Sequence, residues 1–470
     1  MGAVSPEASG RPARLDLLLA ALLALAATLL FYRLGAHPLM ETSDARYAEI
    51  AWEMVHTGDW LTPRMDFALH LDKPPLAYWL GALGLRLLGH SEFAVRLPLA
   101  LAALLCLLIL HRTARRLLGL RAALAAALIL ATAPLFFFMA RLFTTDLYLT
   151  LFVTAAYACL LRGYAEPRPP LVWRLGFALA LALAFLTKGP VALLHTLLPI
   201  ATYHLLWGAR GRLAPFLGPL PLLLFVAVAA PWFVAVGLRH PQLASFYLNH
   251  ELLARLHGNA LHRAQPVYYF AGILAGGLAP WSVWLAGHLG RGREAPWGPE
   301  AAVPHLDRLL ACWLWIPFAI LSLVRSKLPP YVLPLFPAAA LWGGGVAAAW
   351  LTRPRRPGWW RPLLVAAATA ALVAAGIAFH RERAATWPPQ TERAVRLAFW
   401  AAVACLLAVA ASLRRPSRGA TFAALAAFAL CLDLAGIHYL PVSKPHHRYH
   451  RLARQLAAAL APEDRGVCFG

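Results

Sequence analysis

Residues 41 to 49 read Glu-Thr-Ser-Asp-Ala-Arg-Tyr-Ala-Glu, so Glu41, Asp44, Arg46 and Glu49 crowd together just after a long apolar run. Charge against a membrane-spanning stretch is costly and marks a candidate functional site. The same outer segment continues through His56-Thr-Gly-Asp-Trp60 to Leu71-Asp72-Lys73-Pro74-Pro75-Leu-Ala-Tyr78-Trp79. Three further charged points interrupt apolar sequence: Arg141-Leu-Phe-Thr-Thr-Asp146, Leu186-Thr-Lys188-Gly-Pro190 and Arg325-Ser-Lys327-Leu-Pro-Pro-Tyr331. Lysine and arginine suit the binding of phosphate, while carboxylates suit proton transfer or the support of positive charge. This distribution points to an active site at a membrane boundary.

Each residue also has a plainer reading. Asp44 stands where a carboxylate caps a helix spanning Asp44 to Val55, with Thr42 or Ser43 as N-cap, and that helix is expected to lie along the interface. Lys73 and Lys188 could be snorkelling side chains, Asp72 the ion partner of Lys73, and Arg141 the neutraliser of Asp146. The loop 237–267 carries His240, His250-Glu251, Arg255, His257 and His262-Arg263. Its histidines are dense, but their spacing is not the two-turn pattern of a dedicated metal site.

The elements that must position these residues follow from composition. A chain of 470 residues that is 60% hydrophobic and only 14% charged, with mean hydropathy +0.61, is not built to fold in water. Spans of roughly 20 apolar residues are expected at thirteen places: 15–32, 97–110, 122–139, 146–161, 173–187, 190–207, 216–236, 268–288, 309–324, 331–350, 363–379, 394–412 and 419–437. The first reads as an uncleaved anchor, because its apolar core runs into Phe31-Tyr32-Arg33 without a small-residue cleavage site. Arginines recur in alternate connections, at 11–14, 112–121, 162–174, 210–212, 291–308, 353–361 and 414–418. By the positive-inside rule these face the cytoplasm, with the N-terminus. The outer side then holds segments 33–96 and 237–267 and a short tail, 438–470.

The net charge of +22 does not indicate nucleic acid, because its arginines lie in short loops beside membrane helices, where anionic lipid is the expected partner. Lysine behaves differently. There are four, Lys73, Lys188, Lys327 and Lys444, against thirty-nine arginines, and all four fall in outer segments. The six cysteines lie mostly inside apolar runs and form no disulfide framework. No phosphate-binding glycine loop or internal repeat is present. The fold class is therefore an all-α polytopic membrane protein, residues 1–437 forming one transmembrane unit.

The ordered set Asp44-Ala-Arg-Tyr-Ala-Glu49, Gly58-Asp-Trp60, Asp72-Lys-Pro-Pro75, Thr145-Asp146, Leu186-Thr-Lys-Gly-Pro190, Pro231-Trp232, His250-Glu251, Gln265-Pro266, Pro280-Trp281 and Ser326-Lys-Leu-Pro329 resembles the polyprenyl-phosphate-dependent glycosyltransferases of the GT-C superfamily. It is similar to the aminoarabinose transferases that modify lipid A and, more distantly, to protein O-mannosyltransferases. The resemblance implies a GT-C bundle of about thirteen helices in a bacterial inner membrane, with its site facing the periplasm. It implies an inverting transfer of a sugar, such as 4-amino-4-deoxy-L-arabinose, from undecaprenyl phosphate to lipid A or another periplasmic acceptor. Transfer of another sugar to a protein or envelope glycan is the alternative within the family.

On this resemblance Asp44 and Asp146 form the acidic catalytic pair with Glu41 as substitute, because Ser43 stands where the family has its first carboxylate. Arg46, Lys73, Lys188, Lys327 and Tyr331 become contacts to the donor phosphate. Asp72 and His250 match positions that bind zinc in a relative, so a divalent metal is implied there, although Asp72 replaces a Glu. Relatives often carry a soluble domain after the last helix; here the tail is short, which reads as a lost or truncated domain. A transporter would string its charges along a path through the bilayer, whereas here they gather on one side. An inactive binding relative is the third reading, suggested by Ser43 and the short tail.

Overall fold

A computed structural model of the chain describes residues 14–40, 43–207, 210–241, 264–289, 303, 305–352, 389–414 and 418–439. In lipid the backbone has no hydrogen-bond partner but itself, so long apolar runs become helices. The first half contains α1 (Arg14–Phe31), α2 (Ser43–Thr57), α3 (Leu76–Leu88), α4 (Glu92–Leu118), α5 (Leu120–Ala131), α6 (Pro134–Met139), α7 (Thr145–Tyr164), α8 (Leu171–Lys188), α9 (Val191–His195) and α10 (Leu197–Trp207). The second half adds α11 (Arg210–Leu213), α12 (Pro219–Arg239), α13 (Tyr269–Gly277), α14 (Trp281–Leu289), α15 (Leu306–Leu323), α16 (Phe336–Thr352), α17 (Pro389–Arg414) and α18 (Arg418–Tyr439). A small antiparallel hairpin, β1 (Arg64–Met65) and β2 (Ala68–Leu69), stands between α2 and α3.

Nine segments of the described chain are helical, long and apolar enough to cross a membrane, and each coincides with one of the thirteen expected spans. Three of the remaining four are broken helices. Segment 122–139 divides between α5 and α6 at Thr132-Ala133, 190–207 between α9 and α10 at Thr196, and 268–288 between α13 and α14 at a cis Ala279–Pro280 bond. Segment 363–379 lies outside the described residues, as do Glu41, His250, Lys444 and the tail from 440 onward. One apolar helix, α3, was not expected from the sequence. The interfacial helix α2 runs from Ser43 to Thr57, two residues past its expected end, burying Ala48, Ile50, Ala51 and Met54.

Chain direction alternates through the bundle, which sorts the connections onto two faces. On one face the end of α1 meets the α6–α7 connection, the end of α8 meets the start of α7, and the end of α12 meets the loop after α2. The end of α18 joins the same face, where His438 Nδ1 lies 3.0 Å from Arg33. On the opposite face Arg121 bonds Asp16, and Arg212 donates to the Tyr164 carbonyl. Among the described residues, the connections carrying Arg121 and Arg212 therefore share one face, and the segment ends carrying Arg141 and Lys188 the other.

Close helix contacts rest on small residues, as in membrane bundles generally. A Cβ on Gly84 of α3 would lie 2.2 Å from the Ala94 carbonyl oxygen of α4, and one on Gly344 of α16 would lie 2.4 Å from the Ala122 carbonyl oxygen of α5. Backbone atoms cannot swing aside as side chains can. Gly84→Ala is expected to cost about 1–3 kcal/mol by overpacking, read as a lowered thermal midpoint in detergent; an unchanged midpoint would show that α3 and α4 do not approach this closely.

Candidate active site

The site begins with charges that are buried and must be paired. Asp44, in the first turn of α2 where the helix dipole favours an acid, is 3% exposed. Its Oδ2 accepts from Arg96 at 2.6 Å and from the Met40 amide at 2.9 Å, and its Oδ1 accepts from the Phe143 amide at 2.7 Å. Arg96 is fully buried and also donates to the carbonyls of Leu34, His37 and Pro38. One carboxylate thus ties α2, α4, the segment after α1 and the α6–α7 connection together. Asp44 is not paired with Asp146, and three of its acceptor directions are already occupied.

Arg141 does not neutralise Asp146. Its guanidinium donates to the carbonyls of Leu29, Leu30 and Tyr32, the unsatisfied end of α1. A helix C-terminus supplies negative partial charge and open acceptors, which is why a buried arginine settles there. Asp146 instead pairs with Lys188 at 2.5 Å, 42 residues away in sequence. Local geometry explains both ends of this pair. Asp146 opens α7 after the extended Thr144, while Lys188 closes α8 and is followed by Gly189 at φ 59° and Pro190, a left-handed stop that fixes the lysine at the helix end.

The other expected residues gather around this pair. Lys188 lies over the Tyr331 ring at 4.5 Å, a cation–π contact. A Cβ added at Gly189 would lie 3.9 Å from the Pro74 ring, so the Asp72–Pro75 turn stands beside the Lys188 turn. Lys73 is buried and held by its own segment, 2.9 Å from the Asp72 carbonyl and 3.1 Å from the Asp72 carboxylate. Tyr47, on the inner face of α2, links the groups: burial raises its phenol above the ordinary range, Asp72, Asp146 and Tyr331 add to the rise, and Arg46 opposes it. Its ring also packs against Tyr78 with centroids 5.6 Å apart. Arg46, Asp72, Asp146 and Tyr331 therefore lie within electrostatic reach of one tyrosine, and Lys73 and Lys188 each pair with one of those two acids.

Lys327 sits differently. Its ammonium donates to the Val324 carbonyl at 2.5 Å and to the Gln265 carbonyl at 2.9 Å, and burial lowers its pKa. With the Gln265 amide bonded to the Arg325 carbonyl, Lys327 clamps two outer segments together. Its two carbonyl bonds use most of the ammonium's donor capacity, in contrast to the phosphate contact expected of it.

Among the described residues no three His, Cys, Asp or Glu side chains gather to hold a metal ion. The Asp72 carboxylate engages Lys73, and His250 lies outside the described residues.

Arg96 was not singled out in the sequence. It lies five residues into α4, where an arginine reads as the edge of a span; only its partner 52 positions earlier gives it a role. Nor did the sequence give Glu49 and Glu53 of α2 a specific role. Glu49 Oε1 accepts from the Asp66 amide at 3.1 Å and Glu53 Oε1 from the Phe67 amide at 3.0 Å. Asp66 and Phe67 form the hairpin turn with φ of 52° and 59°, a left-handed conformation that costs a residue with a Cβ about 1–2 kcal/mol. Two charge-assisted bonds from one helix offset that strain.

The chain is similar to known proteins. Residues 72–235 match the family model described as dolichyl-phosphate-mannose-protein mannosyltransferase. The chain is 34% identical over 316 residues to the undecaprenyl phosphate-alpha-4-amino-4-deoxy-L-arabinose arabinosyl transferase of Edwardsiella ictaluri, covering 66% of this chain and 55% of that one. It is 34% identical over 321 residues to the protein of the same name from Pseudomonas aeruginosa, covering 67% and 57%. The chain thus spans little more than half the length of these curated relatives. Among solved structures it is similar to ArnT from Cupriavidus metallidurans bound to undecaprenyl phosphate, with TM-score 0.77 and 28% identity over 95% of this chain and 81% of that one. The apo form of the same protein matches with TM-score 0.77 and 27% identity.

Two outcomes are expected. Arg96→Met strands a buried carboxylate and should cost about 3–5 kcal/mol, with Asp44→Asn restoring part of the loss in the double variant; additive losses in thermal unfolding would show that the two residues do not act together. Glu49 is raised from 4.5 to about 7, first by burial and then by the Asp66 and Glu53 carboxylates. The folded state therefore holds this proton more tightly than the unfolded chain, so the stability Glu49 contributes falls as pH rises from about 4.5 to about 7. Glu49→Gln should flatten the thermal midpoint across that window, and an unchanged slope would remove Glu49 as its source.

Proposed function

We propose, from the premise that this chain belongs to the GT-C superfamily, that it transfers a sugar from an undecaprenyl-phosphate carrier to a phosphate of lipid A. The sugar proposed is 4-amino-4-deoxy-L-arabinose, as named for the curated relatives. The observation that carries the reading is the gathering of Arg46, Asp72 and Asp146 about Tyr47, with Lys73 bonded to Asp72 and Lys188 to Asp146, from four segments that are remote in sequence.

The chemistry follows from the geometry. An acceptor oxygen attacks the anomeric carbon as the bond from that carbon to the carrier phosphate oxygen breaks, and undecaprenyl phosphate leaves with the electron pair. A single displacement inverts the anomeric centre. Negative charge grows on the departing phosphate, and fixed cations in a partly dry site stabilise that change more than mobile water does. Arg46, Lys73 and Lys188 are the cations for it. Asp146 holds the Lys188 ammonium in place and keeps a carboxylate near the sugar, where positive charge develops.

The state of the carboxylates favours a phosphate acceptor. Asp44 is bound by Arg96 and two amides, Asp146 by Lys188 and Asp72 by Lys73, so each carboxylate of this cluster already has a cation. A hydroxyl acceptor needs a base. An ionised phosphate needs only to be positioned, which also accommodates Ser43 at the place where the family has a carboxylate. Asp44 on this reading is a positioning residue, with Glu41 next to it in sequence as the candidate second carboxylate. A divalent metal at Asp72 and His250 is carried by the resemblance alone.

The protein lies in a bacterial inner membrane with the site facing the periplasm and the N-terminus in the cytoplasm. The described connections that carry Arg121 and Arg212 lie on the face opposite the site, which supports that orientation by the positive-inside rule. The protein reconstituted in proteoliposomes with undecaprenyl-phosphate-aminoarabinose and lipid A should release undecaprenyl phosphate. Asp146→Asn and Lys188→Met should each lower kcat by about 10²–10³-fold while leaving the protein inserted. Dephosphorylated lipid A should give no turnover; equal turnover with it would favour a hydroxyl acceptor, and full activity in both variants would reject the site.

A further inference from the structure

The hairpin between α2 and α3 carries apolar side chains where a water-facing turn would carry polar ones. Phe67 is 58% exposed and Leu69 43% exposed. The turn is not slack, since Glu49 and Glu53 hold its two left-handed amides and Arg64 donates to the Phe67 carbonyl at 3.3 Å. Three charged side chains thus fix a strained, apolar tip in one position.

Its flanks fix the depth at which the tip stands. Trp232 of α12 donates its indole N–H to the Leu61 carbonyl at 2.9 Å, and Trp79 of α3 donates to the Trp60 carbonyl at 2.7 Å. Leu71, just past the hairpin, packs with Leu186, Trp232 and Val236. Indoles with one apolar side and one bonded N–H collect at the membrane–water boundary. The two helices that supply them face lipid: α3 leaves Leu83, Leu87 and Leu88 exposed, and α12 leaves Leu222, Leu223 and Leu238 exposed. At the same level Asp59 is bonded by Arg239 at 3.1 Å and approached by Arg64 at 3.9 Å, with both arginines partly exposed.

We infer that the Phe67–Leu69 tip is a lipid-seeking finger, seated at the acyl–headgroup boundary of the leaflet beside the site, with Arg64 and Arg239 against headgroup phosphates. The occupant is the surrounding bilayer, whose apolar and anionic layers match the order of apolar tip and basic base. The same chain segment leads within four residues from Leu69 to Lys73, so the finger sets the height of the phosphate-binding turn against the membrane. The inference does not depend on the transfer reaction.

The test is spin-label depth in the full-length protein reconstituted in nanodiscs of phosphatidylethanolamine and phosphatidylglycerol. Phe67→Cys and, separately, Leu69→Cys are labelled, with wild type labelled in parallel to subtract the six native cysteines. Collisions with oxygen, which concentrates in lipid, should exceed those with a water-soluble nickel chelate at both positions. A second arm adds Glu53→Ala to Phe67→Cys, which removes the acceptor of one turn amide and should shift the label toward the chelate. Greater access to the chelate at both single positions means that the tip stands in water, and low access to both reagents means that protein covers it; either overturns the inference. Because no step measures turnover, a failed transfer assay and a failed finger are separate results.

Discussion

A carboxylate locked beneath an arginine at the outer end of the bundle is the constraint on which the rest is built. Ions taken out of water are tolerated only when paired and fully hydrogen-bonded, so Asp44 and Arg96 must meet, and the carbonyls after α1 must meet them. Arg141 completes the frame by capping α1. Once these ends are fixed, α7 can begin in only one place, and Asp146 is presented to Lys188. The reactive groups are held by neighbours that take no part in the chemistry.

This division of labour separates pins from working groups. Arg96, Arg141 and Lys327 donate mainly to backbone carbonyls and to Asp44, and each joins segments that apolar packing alone would leave free to slide. Lys73 and Lys188 pair with side-chain carboxylates at turns closed by proline. An ammonium balanced by one carboxylate can exchange part of that interaction for a phosphate oxygen. A guanidinium bonded to three carbonyls and a buried carboxylate cannot do so without loosening the fold.

Much of this could be read in the sequence, because lipid enforces simple rules. Nine spans were legible from apolar length. The two prolines after Lys73 and the Gly-Pro after Lys188 marked rigid turns before their neighbours were known. What could not be read was pairing. Asp146 has an arginine five residues before it, yet its partner is Lys188, because α6 ends by turning Arg141 toward α1. Helix α3 escaped notice because its thirteen residues fall short of a span and follow a charged turn. The break at Thr132-Ala133 escaped for the opposite reason, since apolar sequence continues through it. The roles of Glu49 and Glu53 depend on two left-handed turn residues that carry no glycine signal.

A structure of the full-length protein with an undecaprenyl-phosphate-linked sugar bound would decide the matter most directly. The carrier phosphate is expected within about 3 Å of the Lys73 or Lys188 ammonium, beside Arg46 and Tyr47, with its prenyl chain leaving sideways into lipid. A phosphate resting on the arginine-rich face, out of reach of all three cations, would contradict the site and the function built on it.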